Sequence, residues 1–403
     1  MSDQSTSDPA YASAGSLKGM LQRGRGLGAL PALDDPATSA ELVYDVVGDD
    51  WRWDSVDDRH LYLARLIQEL GLPLDPLVAL LGDDEDDCER ATLTLELLAV
   101  SGSAEAREAL RAYIREGEHW VDVLESVAGV WPVEWWDDLV DVARARLTGE
   151  EPLLRRSEPW VRWGAGPLPV APVRRPRMHT VDVSPSGRLL LCLLADGAKI
   201  KALDALAGRP PEPALIPLVP GLGTVDGERP LPGLARAVER LGALAVPEAR
   251  RWAADERPWL SWTGIRVLAE YGEIQDVPVL VDELAAHEKT RRWCGPDRLA
   301  AGLSRFGPAA AEAAPVLRRL WLRTPHSYER PAYLKALAAL PPAGLDRAYT
   351  ESLWDCESNA RLLGIASAPD GPLDRQRLVR LRDDPMEEPD VRAAAGDRLS
   401  TSS

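Results

Sequence analysis

The stretches VLAEYGEIQDVPVLVDEL (residues 267–284) and GLSRFGPAAAEAAPVLRRL (residues 302–320) decide the fold predicted for this chain. In each, an apolar segment ends at a glycine, and a short loop leads to a proline that opens a second apolar segment. Apolar residues three and four positions apart are typical of one helix face, and glycine and proline mark a turn between helices. Gly272 and Gly307 are 35 residues apart. The spacing therefore predicts helical hairpins that repeat along the chain.

The N-terminal half of the chain contains the same pattern. The stretch YLARLIQELGLPLDPLVALL (residues 62–81) again has an apolar segment, a glycine and a proline-led segment. Apolar helical faces begin near Leu61, Ala91 and Trp120, so successive hairpins start about 30 residues apart. Strict alternation and β-branched runs, which are typical of strands, do not occur in this half. The sequence therefore predicts an all-α protein.

This order of helix, glycine, loop and Pro-x-Leu resembles the HEAT-like repeats of the armadillo-type superhelix. The resemblance covers residues 57–147 and 188–399. It implies an α–α superhelix, because one hairpin cannot bury both of its apolar faces and must stack on its neighbours. It also implies an extended curved surface suited to binding macromolecules, and it indicates no particular chemistry.

Composition shifts divide the chain. Proline, glycine and arginine interrupt the helical pattern after residue 156, which indicates a connector with a short strand at about residues 180–183. Gly24, Gly26 and Gly28 superficially resemble a nucleotide loop, but no apolar strand precedes them and no Lys-Ser/Thr follows. The predicted organisation is a largely flexible N-terminal segment (1–56), an acidic helical array (57–156), the connector (157–187) and a C-terminal helical array (188–399).

Charge and hydropathy limit the functional classes. The 403 residues include 64 acids and 47 bases, giving a net charge of −17, and residues 51–158 alone carry 25 acids and 11 bases. Such a field repels phosphate backbones and favours basic partners or solubility. The longest uncharged apolar run, residues 189–195, is far shorter than the roughly 20 residues that cross a bilayer. With no secretory signal recognisable, we expect a cytoplasmic protein without a membrane partner.

The sequence predicts no catalytic residue, metal site or cofactor. The five histidines are isolated from one another, and the four cysteines have neither zinc-site nor redox spacing. No Gly-x-Ser-x-Gly elbow occurs. The acidic run at residues 83–87 lacks the alternating ligands and the glycine of a calcium loop, so we interpret it as the capped start of a helix.

Tryptophan is the unusual residue, with 14 copies against one phenylalanine. If Pro132 opens an α-helix, Trp135 faces the core and Trp136 is half exposed beside acids, where it could anchor a basic peptide. A second group at the connector entrance is either a recognition element or a cover that closes the end of the first array. Packing between helices is the alternative for the whole set. The candidate partner-binding residues are Trp131, Trp136, Asp137, Asp141, Trp160, Arg162 and Trp163.

A third group, Trp259 and Trp262 near Asp255 and Arg257, introduces an enzymatic alternative. The repeat layout is similar to that of alkylpurine DNA glycosylases, which the resemblance associates with an acid and aromatic residues on a basic concave groove. A net charge of −17 argues against such a groove. The sequence therefore favours a non-catalytic scaffold that docks a protein or peptide, with a nucleic-acid repair enzyme as the alternative. It leaves the oligomeric state open.

Overall fold

The computed structural model describes residues 11–48, 59–147, 157–164, 186–194, 198–340 and 344–401. These residues form α-helices and short 3-10 helices, and their one β-type pairing is an isolated bridge between Gly223 and Pro230. The predicted all-α class is confirmed. The strand expected at residues 180–183, like most of the connector, lies outside the described residues.

The described residues divide into two compact units. The first unit contains the described residues up to 164 together with 324–331 and 344–401. The second unit contains residues 186–194, 198–323 and 332–340. This division differs from the predicted one, because the expected C-terminal array is shared between the units. The N-terminal segment (residues 11–48), which was expected to be largely flexible, carries three helices of the first unit.

Thirteen α-helices lie in the described part of the first unit, and most of them contact a helix next to them in the sequence. They are α1 Leu17–Gln22, α2 Gly26–Asp34, α3 Pro36–Gly48, α4 Arg59–Leu70, α5 Asp75–Val78, α6 Glu85–Val100, α7 Ala104–Glu116, α8 Trp120–Val130, α9 Val140–Arg146, α19 Asp346–Ser352, α20 Ser358–Ser367, α21 Pro372–Asp383 and α22 Pro389–Thr401. Helices α4, α6 and α8 also contact one another in succession, which buries one continuous apolar core.

The second unit has its own succession of helices. They are α10 Ser186–Leu194, α11 Lys199–Ala207, α12 Leu234–Leu241, α13 Val246–Ala253, α14 Pro258–Tyr271, α15 Val277–Thr290, α16 Pro296–Ser304, α17 Ala314–Arg323 and α18 Arg330–Ala339, whose first two residues belong to the first unit. Helix α14 contacts both α12 and α16, and α15 contacts α17. The hairpins predicted from residues 267–284 and 302–320 correspond to α14–α15 and α16–α17.

Helix starts follow the capping rules that the sequence indicated. The Asp84 carboxylate accepts a hydrogen bond from the backbone N–H of Asp87 at 3.0 Å, and acids occupy the first turn of α6. The Ser103 hydroxyl accepts from the Ala106 N–H at 3.1 Å and caps α7. Such caps satisfy N–H groups that the helix leaves without partners, and acids favour the positive end of the helix dipole. The capping interpretation of the acidic run is confirmed.

The glycine-rich stretch near residue 25 is closely packed. Gly24 has a φ of +61°, and a Cβ atom there would lie 2.5 Å from the Cys356 sulfur. A Cβ atom on Gly26 would lie 1.9 Å from the carbonyl oxygen of Glu351. Beside them, Arg25 donates from Nε and Nη2 to Glu351 Oε1 at 2.9 and 2.6 Å. These glycines therefore allow the N-terminal segment to approach residues 351–356 more closely than any side chain permits.

Buried arginines pair with carboxylates in the first unit, and one of them also binds the N-terminal segment. Arg330 donates to both carboxylate oxygens of Asp355 at 2.9 and 2.7 Å and to the carbonyl oxygen of Arg23 at 2.7 Å. Arg361 pairs with Glu387 in the same bidentate way, and both side chains are fully buried. A buried ion pair adds little net stability, but removing one partner strands the other charge at a cost of about 3–5 kcal/mol. The pairs therefore fix which segments pack together.

Candidate functional site

The structure reverses the expected exposure of two neighbouring tryptophans. Trp136 is 1% exposed, whereas Trp135 is only partly buried. The cause is local, because Pro132 does not open an α-helix. Two 3-10 turns, Val133–Trp135 and Asp137–Leu139, follow instead, and between them Trp136 has a φ of −135° that leaves the helical region. The prediction that Trp136 is half exposed is wrong, and Trp135, predicted to lie in the core, packs against the core while remaining partly exposed.

The connector entrance packs onto these tryptophans. The Trp160 ring meets Trp120 edge-on at 6.3 Å between centroids, and Trp163 meets Trp160 at 5.7 Å and Trp136 at 5.9 Å. The Trp163 indole N–H donates to Asp137 Oδ1 at 2.9 Å. Edge-on indole contacts of this kind contribute roughly 0.5–1.5 kcal/mol each beyond the area they bury. Residues 157–164 therefore cover the end of the α8 region, one of the two alternatives that the sequence left open.

The structure brings together most of the predicted partner-binding residues, but it gives them different surroundings. Trp131 and Trp160 are buried like Trp136, and the Trp131 indole N–H donates to the Glu96 carbonyl oxygen at 3.0 Å. Arg162 is exposed, with its guanidinium 5.9 Å from the Trp136 ring centroid. Asp141 is exposed and lies 3.7 Å from Arg144. A partner could therefore reach the charged members of the set, whereas the buried rings hold the helices together.

An acidic groove opens between α6 and α8, and it has a volume of about 290 Å³. We call it the α6–α8 groove. Its rim carries the exposed carboxylates Glu85, Asp86 and Glu89 of α6 and Asp122 of α8. Its floor is formed by buried Cys88, Thr92 and Val123, and His119 and Ser126 complete its walls. The groove thus combines an apolar floor with a negatively charged rim.

Histidine and cysteine in this groove have shifted pKa values. His119 Nε2 lies 2.9 Å from the carbonyl oxygen of Asp83, and that contact, with Glu85 and Asp122 nearby, raises the pKa of His119 above its ordinary value. Burial raises the pKa of the Cys88 thiol, so the thiol stays protonated. The groove therefore favours a cationic group at its rim and holds an unreactive sulfur on its floor.

A buried carboxyl lies one turn beyond the floor of the groove. Glu96 of α6 accepts a hydrogen bond from the Ser126 hydroxyl of α8 at 2.7 Å. Burial raises the pKa of Glu96 to about 7, and the bond from Ser126 lowers it only partly. Because desolvation disfavours the charged form, this carboxyl gains its charge near neutral pH rather than near pH 4.5. It links the two helices that form the groove.

The second unit has a groove of different character, with a volume of about 230 Å³, along α12, α14 and α16. Arg266 and Arg298 both pair with Glu239 on its wall, and the Arg305 guanidinium donates to the carbonyl oxygens of Ala269 and Gly272. Small apolar residues line most of the rest, together with Thr263, Glu270 and Tyr271. Three arginines line this groove against two acids, Glu239 and Glu270, so its charges nearly balance and its field is weakly positive.

The third tryptophan group has structural partners. Arg257 donates to Asp255 and to the carbonyl oxygen of Pro220, and its guanidinium lies 5.6 Å from the Trp259 ring centroid. The indole N–H of buried Trp259 donates to the carbonyl oxygen of Gly227 at 3.0 Å. These contacts hold the loop after residue 221 against α14.

Sequence reasoning missed the residues of the α6–α8 groove. A usable signal was present, because Glu85 and Glu89 are four residues apart on one helix, and His119 and Asp122 are three apart at the start of another. Within the described ranges, no group of three His, Cys, Asp or Glu side chains is arranged to hold a metal ion. No helix there is both long and apolar enough to cross a membrane. No family model, curated protein or solved structure matches the chain.

Proposed function

We propose that this chain is a non-catalytic binding or scaffold protein of the cytoplasm, built from HEAT-like helical hairpins, that docks a segment of another protein. The single observation that carries the proposal is an open groove between alternate helices in each unit, α6–α8 in the first and α12–α14–α16 in the second. Alternate helices of stacked hairpins lie side by side, and the surface between them can hold an extended or helical segment.

The packing order of the helices supports a repeat architecture. Helices α6, α7 and α8 contact one another in sequence, while α6 also contacts α8 directly. Helices α14, α15 and α16 have the same relation in the second unit. A helix that contacts both the next helix and the next but one is typical of stacked hairpins.

The nucleic-acid repair alternative is less favoured by the charges of the two grooves. Four carboxylates line the α6–α8 groove, and the arginines Arg266 and Arg298 of the second groove share the partner Glu239. A duplex needs several cations free to contact phosphates along its backbone. We therefore propose a protein partner rather than DNA or RNA.

Selection from a displayed library of random 16-residue peptides tests the proposal on the intact protein. We expect enriched peptides whose binding slows amide hydrogen exchange in α6 and α8 or in α12, α14 and α16. The matched control is a protein with Glu105→Gln and Glu116→Gln, two exposed carboxylates that do not line either groove. If no peptide is enriched, or if protection falls on neither groove, the proposed function is wrong.

A further inference from the structure

Residues 157–164, which we call the cover, are attached to the first unit by side chains. The backbone N–H groups of Val161 and Trp163 donate to the carbonyl oxygens of Ser157 and Pro159, at 3.1 and 3.0 Å. These bonds lie inside the cover, and among the described residues no backbone–backbone hydrogen bond joins the cover to a helix. The cover is therefore a self-contained turn laid on the helices.

One side chain anchors the cover. Trp160 is 2% exposed, and its indole N–H donates to Glu125 Oε1 of α8 at 2.5 Å. Its ring also packs edge-on against Trp120 at the start of α8. Trp163 is only partly buried, and Val161 is 58% exposed. A fully buried tryptophan with exposed neighbours is typical of the anchor by which a short segment binds another protein.

The surface beneath the cover is suited to indole rings. Glu125 and Asp137 each accept a hydrogen bond from an indole N–H of the cover, at 2.5 and 2.9 Å. Trp120 and Trp136 meet the two rings of the cover edge-on. Charged acceptors form stronger hydrogen bonds than neutral ones, and aromatic pairs favour this edge-on geometry. These four residues, which we call the indole site, therefore suit a segment with two tryptophans three residues apart.

We propose that the indole site binds a linear segment of a partner protein that carries two tryptophans three residues apart, and that the cover occupies the site until such a segment displaces it. Displacement leaves the hydrogen bonds of the helices intact, because the described contacts of the cover are made by side chains. The indole site lies outside both grooves, so this inference goes beyond the proposed function.

The tether sets the affinity that a partner must reach. A segment joined to its own site acts at an effective concentration of about 1 mM or more. The cover therefore weakens the apparent binding of a competing segment, and losing its tryptophans should relieve that competition. The Arg162 guanidinium, 5.9 Å from the Trp136 ring centroid, adds an attraction that a competitor with a cation before its second tryptophan would share.

A fluorescein-labelled peptide of sequence SEPWVRWG, which copies the cover, tests the inference by fluorescence anisotropy against the intact protein. In the cover variant, Trp160→Ala and Trp163→Ala remove both indoles of the tethered segment. We expect this variant to bind the peptide roughly tenfold or more tightly than wild type does. A peptide with alanine at both tryptophan positions should bind neither protein. Trp262→Ala, which removes a partly buried tryptophan from the second unit, is the control and should behave like wild type.

The two acceptors of the indole site allow a second comparison. Adding Glu125→Ala and Asp137→Ala to the cover variant should weaken peptide binding roughly tenfold or more, because both indole N–H groups lose a charged acceptor. Adding Glu105→Ala and Glu116→Ala instead removes the same charge from exposed positions of α7 and should leave binding unchanged. Equal weakening by the two pairs overturns the inference.

The wild-type protein gives a measurement that depends on no variant. An excess of the peptide should speed hydrogen exchange of the Val161 and Trp163 amides, because displacement frees the turn that protects them. Equal peptide affinity for wild type and the cover variant, or binding to neither, overturns the inference. A wild-type dimer that the peptide dissociates also overturns it, since a second copy would then supply the segment. The proposed function is tested at other surfaces and stands in each of these events.

Discussion

Replacing Glu96 with glutamine should make the first unit less sensitive to rising pH. Burial raises the pKa of Glu96 from its ordinary value of 4.5 to about 7. The folded chain therefore holds this proton more tightly than the unfolded chain does. The stability linked to the proton is fully present below pH 4.5 and is lost as the pH rises through 7. Glu96→Gln can still accept the Ser126 hydrogen bond and never ionises.

The size of the effect follows from the two pKa values. A shift of one pKa unit corresponds to 1.36 kcal/mol, so the full difference is about 3 kcal/mol. Between pH 5.5 and pH 8.5, the wild-type protein should lose about 2 kcal/mol of unfolding free energy through this group. The variant should not show this loss. Its stability relative to wild type should therefore increase by about 2 kcal/mol over the same interval.

Hydrogen exchange of amides in α6 and α8, measured by mass spectrometry at both pH values, reports the free energy of opening in this part of the molecule. Comparison of variant with wild type at each pH removes contributions from other titrating groups. Glu116→Gln, at an exposed position of α7, is the matched control and should behave like wild type at both pH values. A difference between Glu96→Gln and wild type that stays constant within about 0.5 kcal/mol would refute the reasoning.

Three further variants test the packing of the first unit. Glu387→Gln leaves the fully buried Arg361 without its counter-charge and should destabilise the unit by about 3–5 kcal/mol in urea unfolding. Gly26→Ala should lower the melting temperature, because the new Cβ atom would lie 1.9 Å from a carbonyl oxygen. The control Gly129→Ala places a Cβ atom that meets nothing within 4 Å, so the melting temperature should stay unchanged or rise. Trp163→Ala removes two edge-on ring contacts and should speed proteolytic cleavage within residues 157–164, with an unchanged rate counting against the covering role.

Local sequence patterns were sufficient to predict the class of the fold. The glycine and proline that separate α14 from α15 act on neighbouring backbone, and the caps at Asp84 and Ser103 bind N–H groups only three residues away. Helical periodicity likewise depends on residues three and four positions apart. Features of this kind are readable from one sequence because each physical cause lies within one or two turns of its effect.

The contacts that build the first unit could not be read in this way. Arg25 and Glu351 are 326 residues apart, and nothing in the composition around Gly24 and Gly26 shows what lies against them. A glycine-rich, polar segment is typical of a mobile tail, and here the same glycines allow close packing. Long-range partners of a buried charge leave no periodic trace in a single sequence.

The candidate site shows both what local sequence patterns predict and what they miss. The exposure of Trp135 and Trp136 was predicted from an ideal α-helix after Pro132, and two 3-10 turns changed the direction of both rings. The acidic run was correctly interpreted as a helix start, yet Glu85 also faces the α6–α8 groove. Its second role depends on Asp122 of another helix and becomes visible only when the two helices are placed side by side.

The pairing of Arg25 with Glu351 has a consequence for how the chain is made. Ribosomes add roughly 5–20 residues each second, so the 326 residues between the two take on the order of 20–60 s to synthesise. During that time Glu351, the native partner of Arg25, has not been made, while the helices of the second unit emerge and can already pack. The first unit is therefore begun before the second unit is made, and it gains the carboxylate partner of Arg25 only afterwards.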